Sequence, residues 1–427
     1  MTQERKLPEG RLGRLVRMAG VGARTGASLL LSKDSSGAAQ QAAEVLGTLR
    51  GLAAKVGQMA SYVDGIVPEG HREAYEGAMR SLRAAAPTSA PEAIRSVVEE
   101  DLGAPIDELF QVWEDKPFAS ASIGQVHRAV LPDGREVAVK VQHPGIARAV
   151  ESDLENAGVL QGLVSTLGPR ELNAKAVLDE VKARFREELD YTLEAERQAQ
   201  FRALHAGDPA IHIPAVVEDR LSYRVLTTEL ARGMTLEDAA MEREEIRQAY
   251  ARALWRFVFK GNLVGGMFNA DPHPGNYLFR PDGTITFLDF GCVQLISGER
   301  LEHARGLHTA AFRRDEDEFK RWAKLILETR GGRYEELALA YSRRCFEPIF
   351  RSPYRISREY VASLVESVKE MKEAVLLKKG GNFVPLPPGM LFMNRLQFGF
   401  YSVLARLDVE VDYAAVEQAF MEEAAPG

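Results

Sequence analysis

The chain has 427 residues, 45% apolar and 27% charged, with a formal net charge of -7 and two cysteines, Cys292 and Cys345. That length allows two or three domains, each with its own core. The composition excludes a disulfide framework and a CxxC metal pair, argues against a general nucleic-acid binder, and holds no uninterrupted apolar run of membrane-spanning length.

Residues 1–33 form a basic arm. Arg5, Lys6, Arg11, Arg14, Arg17, Arg24 and Lys33 face only Glu4 and Glu9, with Leu12, Leu15, Val16, Met18 and Val21 among them. Such a segment can rest on an anionic membrane surface or stand as a solvated terminal arm. The start has no apolar core followed by a small-residue cleavage site, so no signal peptide is expected. With two scattered cysteines, the expected location is cytoplasmic, with peripheral contact to the inner face of a membrane through the arm and no transmembrane helix. The most apolar stretch, 387–404, is broken by Asn394, Arg395 and Gln397.

A helical extension follows at 34–110. Val45, Leu49, Leu52, Val56, Met59 and Val63 make one apolar stripe, predicting a helix over 38–65. Lys55 and Gln58 are neighbours on one face of it, and Gly57 between them suggests close approach of another backbone. Pro87, Ser89 and Pro91 mark a break before a short helix ending near Asp101.

The next division, 111–232, is strand-rich. Residues 117–145 alternate around Pro132-Asp133-Gly134, a hairpin signal. Leu178, Val181, Phe185 and Leu189 predict one long helix over 175–204, and 211–230 reads as two more strands. In the last division, 233–427, a helix over 243–262 leads into "FNADPHPGNYLF", 268–279, whose Pro272 and Pro274 forbid a regular helix. "TITFLDFG", 284–291, reads as a strand ending on an Asp, and everything after Ser297 reads as helices.

This order carries phosphoryl-transfer chemistry. The reaction needs phosphates fixed, a divalent metal held between their oxygens, and a carboxylate near the attacking hydroxyl or water. Protein kinases use a strand Lys, a helix Glu, a loop Asp with Asn five residues on, and the Asp of Asp-Phe-Gly. The matching positions are Lys140, Glu194, Asp271, Asn276 and Asp289. Lys140 would clamp the α/β-phosphates, Glu194 would hold the Lys140 ammonium, Asn276 and Asp289 would ligate Mg2+, and Asp271 would orient or deprotonate the nucleophile. Each piece alone reads more simply as a solvated lysine, a strand end or a turn; the five in order do not. His127 and His273 read as structural, and Cys292 as a packed residue rather than a nucleophile.

The motifs "KVGQ" (55–58), "ASASIGQVHRA" (119–129), "VAVKVQHPG" (137–145), "EELDYTLEA" (187–195), "NADPHPGN" (269–276) and "LDFG" (288–291) together resemble the UbiB family of aarF-domain-containing atypical kinases. The resemblance implies an α+β, bilobal protein-kinase-like fold with an N-terminal helical extension over the active site and a helical C-lobe. It implies ATP (or ADP) and Mg2+ as cofactors, with nucleotide contacts from Ala119, Ser120, Ala121, Ser122, Lys140, Glu194 and Glu229. The nucleotide loop is alanine-rich where ordinary kinases use glycine, which narrows its backbone freedom and disfavours transfer to a protein. Lys55 and Gln58 would lie across the peptide site, held by Glu188 and Asp190. On one regular helix Asp190 and Glu194 share a face while Glu188 points away, so either the helix is irregular there or Glu188 makes a different contact.

Two departures from the family stand out. Asn269 replaces its usual loop His, and no pair of C-terminal membrane helices is present. The implied function is a magnesium-dependent ATPase linked to isoprenoid-lipid metabolism of the ubiquinone type, with little or no protein-kinase activity. A small-molecule phosphotransferase and a non-catalytic nucleotide-binding scaffold are the alternatives. Expected partners are a nucleotide and an anionic membrane surface or isoprenoid lipid, without nucleic acid; the oligomeric state stays open.

Overall fold

The computed structural model describes residues 89–121, 123–155, 182–296, 298–376 and 390–423. The basic arm, the predicted helix with Lys55 and Gln58, and Ser122 lie outside them. Contacts divide the chain into two units, and the larger one, Ser89–Pro144 with Leu154–Gly427, carries every described site residue.

Its first layer is a six-stranded antiparallel sheet. α1 (Pro91–Leu102) and α2 (Ile106–Leu109) precede β1 (Val112–Trp113), β2 (Ala119–Ser120), β3 (Gly124–Val130) and β4 (Glu136–Gln142). After α3 (Ile146–Glu155), a helical segment at 182–188 and α4 (Tyr191–Leu204) come β5 (Ile211–His212), β6 (Val216–Leu221) and β7 (Val225–Glu229). The order is β1-β3-β4-β7-β6, with β2 paired to β3. Alternation along β4 decides the faces. Val137, Val139 and Val141 are buried and pack in one core with Ile94, Val97 and Val98 of α1. Lys140, between them in sequence, therefore belongs to the opposite face. The predicted hairpin is present: Gly134 has φ 87° and Asp133 Oδ1 accepts from Arg135 N at 3.0 Å.

The helix expected over 175–204 is broken. Residues 182–188 are helical, Leu189 and Asp190 are not, and α4 starts at Tyr191. Asp190 competes with the helix by capping it: Oδ1 accepts from Thr192 N at 2.9 Å and Leu193 N at 3.3 Å. The tight bonds Leu189 N to Arg186 O and Asp190 N to Glu187 O close the preceding turn. Gln142, buried at the end of β4, donates to the released Leu189 carbonyl at 2.7 Å. The hydrophobic stripe keeps helical spacing right up to the break, which is why periodicity missed it.

The second layer is built around α6 (Glu244–Leu263), which follows the short α5 (Leu236–Ala239). Leu254, Trp255, Phe257 and Val258 of α6 are buried. Phe257 stacks on Phe287 and Trp255 packs against Tyr413, so one face of α6 backs the site strands and another backs the C-terminal helices. Its end feeds β8 (Met267–Asn269), a 3-10 turn (Pro274–Asn276), β9 (Tyr277–Phe279), β10 (Ile285–Phe287) and β11 (Val293–Leu295). β8 pairs antiparallel with β11, and β10 lies between β5 and β9. Among the described residues the rest is mainly helical, as expected, with one two-residue strand pair, Tyr354–Arg355 with Glu410–Val411. Among the described residues no helix is long and apolar enough to cross a membrane.

Candidate active site

Lys140 stands on β4 facing the first turn of α4. Its Nζ donates to both Glu194 oxygens at 2.8 Å, and it lies 4.9 Å from the centre of the Tyr191 ring. Asp190 therefore fixes the pair indirectly: as N-cap it sets where α4 begins, and Tyr191 and Glu194 sit in the turn it caps. Burial pulls against the ammonium, yet the charges of Glu194 and Asp289 more than offset it, and the Lys140 pKa stands well above its ordinary value. Burial, with Asp289 nearby, raises Glu194 above the usual carboxylate range even though Lys140 opposes the shift. Two carboxylates around one ammonium leave the group net negative, a setting that favours a further cation.

Asp271 and Asn276 meet across the proline loop. Asn276 Nδ2 donates to the Asp271 carbonyl at 3.0 Å and to Asp271 Oδ2 at 3.3 Å. The amide nitrogen is thus committed, which turns Asn276 Oδ1 the other way. Asp289 lies two residues past β10, where its Oδ1 accepts from Gly291 N at 2.9 Å. An added Cβ on Gly291 would stand 3.4 Å from both Asp289 Oδ1 and Glu194 Oε2, so this glycine lies close to both carboxylates. Asn269 ties the halves together: Oδ1 accepts from Asp271 N at 3.0 Å, and Nδ2 donates to the Asp289 carbonyl.

These groups suit a magnesium nucleotide. Asp289 and Asn276 offer hard oxygen donors, which magnesium prefers, and the local charge is negative. Among the described residues no cluster of three or more His, Cys, Asp or Glu is assembled.

The described part of the expected nucleotide loop is tied back onto β3. Ala119 pairs with Val126 and Ser120 with Gln125, and Ala121 N donates to the Gly124 carbonyl at 2.9 Å. That donor is spent within the loop, whereas phosphate-binding loops present such N–H groups to the ligand. Gly124 is required for packing: a Cβ there would meet the Val141 carbonyl at 2.3 Å and the Tyr191 hydroxyl at 3.0 Å.

Glu229 is kept apart from the Lys140 group. It ends β7 three residues beyond the partner of Lys140, about 10 Å along the strand. Its carboxylate lies 3.4 Å from His212 Nε2. Glu188 stands near enough for its charge to act on Tyr191 and Glu194. The expected meeting of Glu188 and Asp190 with Lys55 and Gln58 lies outside the described residues.

Both histidines read as structural are so placed. His127 is buried, stacks on Trp113 at 4.8 Å and binds the Glu114 carbonyl through Nδ1; burial lowers its pKa. His273 Nδ1 accepts from Gly275 N and caps the 3-10 turn. Sequence reasoning missed two supports. Gly399, in the C-terminal half, backs Pro272 so closely that a Cβ would fall 2.4 Å from the proline ring. Glu187, which the sequence reading gave no partner, joins Arg184 and Arg197. Only the helix break could have signalled that contact.

Comparisons with known proteins agree with this arrangement. Residues 81–323 match the ABC1 atypical kinase-like domain. The atypical kinase COQ8B, mitochondrial, of Rattus norvegicus is 29% identical over 432 residues, which cover 96% of this chain and 80% of the rat protein. AarF domain-containing protein kinase 1 of Gallus gallus is 31% identical over 310 residues, covering 71% of this chain but only 58% of that protein. A solved structure from Mycobacterium tuberculosis, the complex of Rv3197 with erythromycin, superposes with a TM-score of 0.63 at 26% identity, covering 96% of this chain and 99% of that one. With the paired lysine and glutamate, the Asp-to-Asn loop and the Asp-Phe-Gly turn held in one kinase-like α+β fold, the chain belongs to the ABC1 atypical kinase-like family, the aarF-domain or UbiB family that its motifs resemble.

Proposed function

We propose that the chain binds ATP with magnesium and hydrolyses it, as an atypical kinase-like ATPase serving isoprenoid-lipid metabolism of the ubiquinone type, with little or no protein-kinase activity. The observation that carries this reading is the Lys140 ammonium, held by both oxygens of Glu194 within the field of Asp289. A lysine fixed in this way presents a positive charge to the α/β-phosphates without rotamer search. Asp289 and Asn276 would hold magnesium, which when bound neutralises phosphate oxygens. Asp271, at the mouth of the same loop, would orient the attacking water and take its proton. The Ala121 to Gly124 bond supports a stiff loop and a nucleotide pose unlike that of a glycine-rich kinase.

A small-molecule acceptor is the second reading. It is favoured by the solved relative, a complex of Rv3197 with erythromycin. The basic arm would bring the site to an anionic membrane surface, where an isoprenoid lipid could reach it.

The test is ADP release by the full chain with magnesium-ATP alone, then with anionic vesicles, then with macrolide or phenolic acceptors. Turnover that needs magnesium and disappears in Asp289→Asn supports the ATPase, and vesicle stimulation abolished by Arg11, Arg14 and Arg17→Glu supports the lipid setting. Stoichiometric phosphorylation of an acceptor would favour the second reading. Nucleotide binding without ADP release under any of these conditions would overturn both.

A further inference from the structure

The break that seats Glu194 beside Lys140 also builds a second ionic group, one that the phosphate chemistry leaves unused. On one straight helix Glu187 and Arg197, ten residues apart, would stand about 15 Å apart along the axis. The break at Leu189 and Asp190 folds them together. Glu187 Oε2 accepts from Arg184 Nη1 at 2.8 Å and from Arg197 Nη2 at 2.7 Å.

Both guanidiniums then grip one strip of backbone. Arg197 Nη1 donates to the Gly291 carbonyl at 3.2 Å, and Arg184 Nη1 to the Val293 carbonyl at 3.0 Å. Arg184 Nη2 reaches Gln294 Oε1 at 2.7 Å. The strip is the wall shared by both candidate catalytic turns. At one end Gly291 N holds Asp289 Oδ1. Along its length β11 pairs with β8, Val293 opposite Asn269, and Ala270 N donates to the Cys292 carbonyl at 2.7 Å, one residue before Asp271.

We propose that Glu187, acting through Arg184 and Arg197, is a positioning residue that sets the separation of Asp271 and Asp289. The proposal rests on the ATPase reading above. Without the carboxylate, two guanidiniums would face each other, and Arg197, only 7% exposed, would be left as a nearly buried cation. The strip they hold would shift with them, carrying one aspartate relative to the other. The Lys140–Glu194 bonds are not made by this group, so its loss should lower turnover more than affinity.

The experiment uses the full chain with Glu187→Gln, which keeps shape but removes charge, and Arg184→Met, which removes the bonds to Val293 and Gln294 but leaves Glu187 with Arg197. Expected for both is a kcat for magnesium-ATP lowered by about tenfold, with weaker magnesium dependence on the same scale. KM for ATP should change by less than about twofold. Amide hydrogen exchange should quicken over 266–296 and stay unchanged in β3 and β4. Wild-type kcat and wild-type exchange in both variants overturn the proposal. So does a fall in kcat without faster exchange over 266–296, because Glu187 would then act by another route. If Glu187→Gln fails to fold, Arg184→Met alone decides. If the wild-type chain shows no magnesium-ATP turnover, the ATPase reading has failed, and exchange over 266–296 still accepts or rejects the clamp.

Discussion

Asn269 donates its side-chain amide to the backbone carbonyl of Asp289, while its own oxygen accepts from the Asp271 amide. One neutral side chain thereby spans the two acidic turns. A residue at this position must donate on one side and accept on the other, and Asn does both. That explains how the loop keeps its shape with Asn where the family usually has His.

Asn269→Ala removes both bonds. The expected cost is about 2 kcal/mol of stability, since the Asp289 carbonyl and the Asp271 amide lose partners together. Turnover should fall further than stability alone implies, because the turns no longer share a post. Urea denaturation and a magnesium titration of ADP release check the two effects separately. A variant with unchanged magnesium dependence would leave Asn269 a packing residue only.

Much of this site could be read in the sequence, for a physical reason. Lys140, Glu194, Asp271, Asn276 and Asp289 are chemically unusual for their local elements, and their order mirrors a reaction. The alternation of Val137, Val139 and Val141 is written in the sequence, and in the structure their burial puts Lys140 on the opposite face. The break at Asp190 was only one of two readings that the spacing of Glu188, Asp190 and Glu194 left open, because Leu178, Val181, Phe185 and Leu189 keep helical spacing up to it. A single Asp whose side chain caps Thr192 and Leu193 outweighs that pattern. Contacts that depend on the break, such as Glu187 with Arg197, were therefore hidden. So was Gly399 against Pro272, which joins positions 127 residues apart and leaves no local mark.

Lys140→Met should destabilise the fold as well as abolish nucleotide binding. It leaves Glu194, 3% exposed, beside Asp289 with no cation between them. Removing one partner of such a pair costs about 3–5 kcal/mol, and the lower end applies because Lys140 keeps 18% exposure. Lys140→Met combined with Glu194→Leu should recover most of that stability without recovering nucleotide affinity. Denaturation midpoints and ATP titration of the single and double variants form the cycle. A double variant no more stable than Lys140→Met would mean that the buried Glu194 charge is not what the single variant suffers from.

Ala121→Gly tests the stiffness of the nucleotide loop. The Ala121 N–H is held by the Gly124 carbonyl, and neighbouring Ser120 is paired with Gln125. Glycine should lower stability by about 0.4–1 kcal/mol through the freedom it adds to the unfolded chain. It should also let the loop open and offer its N–H to phosphate, which changes nucleotide affinity and admits autophosphorylation. Nucleotide titration and phosphoprotein detection are the readouts. Unchanged affinity with no phosphoprotein signal would make the alanine incidental to nucleotide pose.

His205 gives the fold an acid limit away from the site. It ends the α4 region, is 3% exposed and stacks on Phe257 at 5.2 Å. Burial first, then the neighbouring Lys260 charge, pushes its pKa down to about 4 from the ordinary 6.5. The folded value lies below the unfolded one, so the unfolded chain takes up the proton first. Stability from this residue is complete above about pH 6.5, declines as the pH falls, and levels off below about pH 4, a loss of roughly 3 kcal/mol. His205→Phe preserves the ring stack and removes the proton site. Compared by guanidinium denaturation, the wild type should lose stability relative to the variant between pH 7 and pH 4.5, by roughly 2–3 kcal/mol. Other carboxylates titrate in both proteins and cancel in the difference. A difference that stays flat across that range would mean His205 accepts its proton without leaving its place against Phe257.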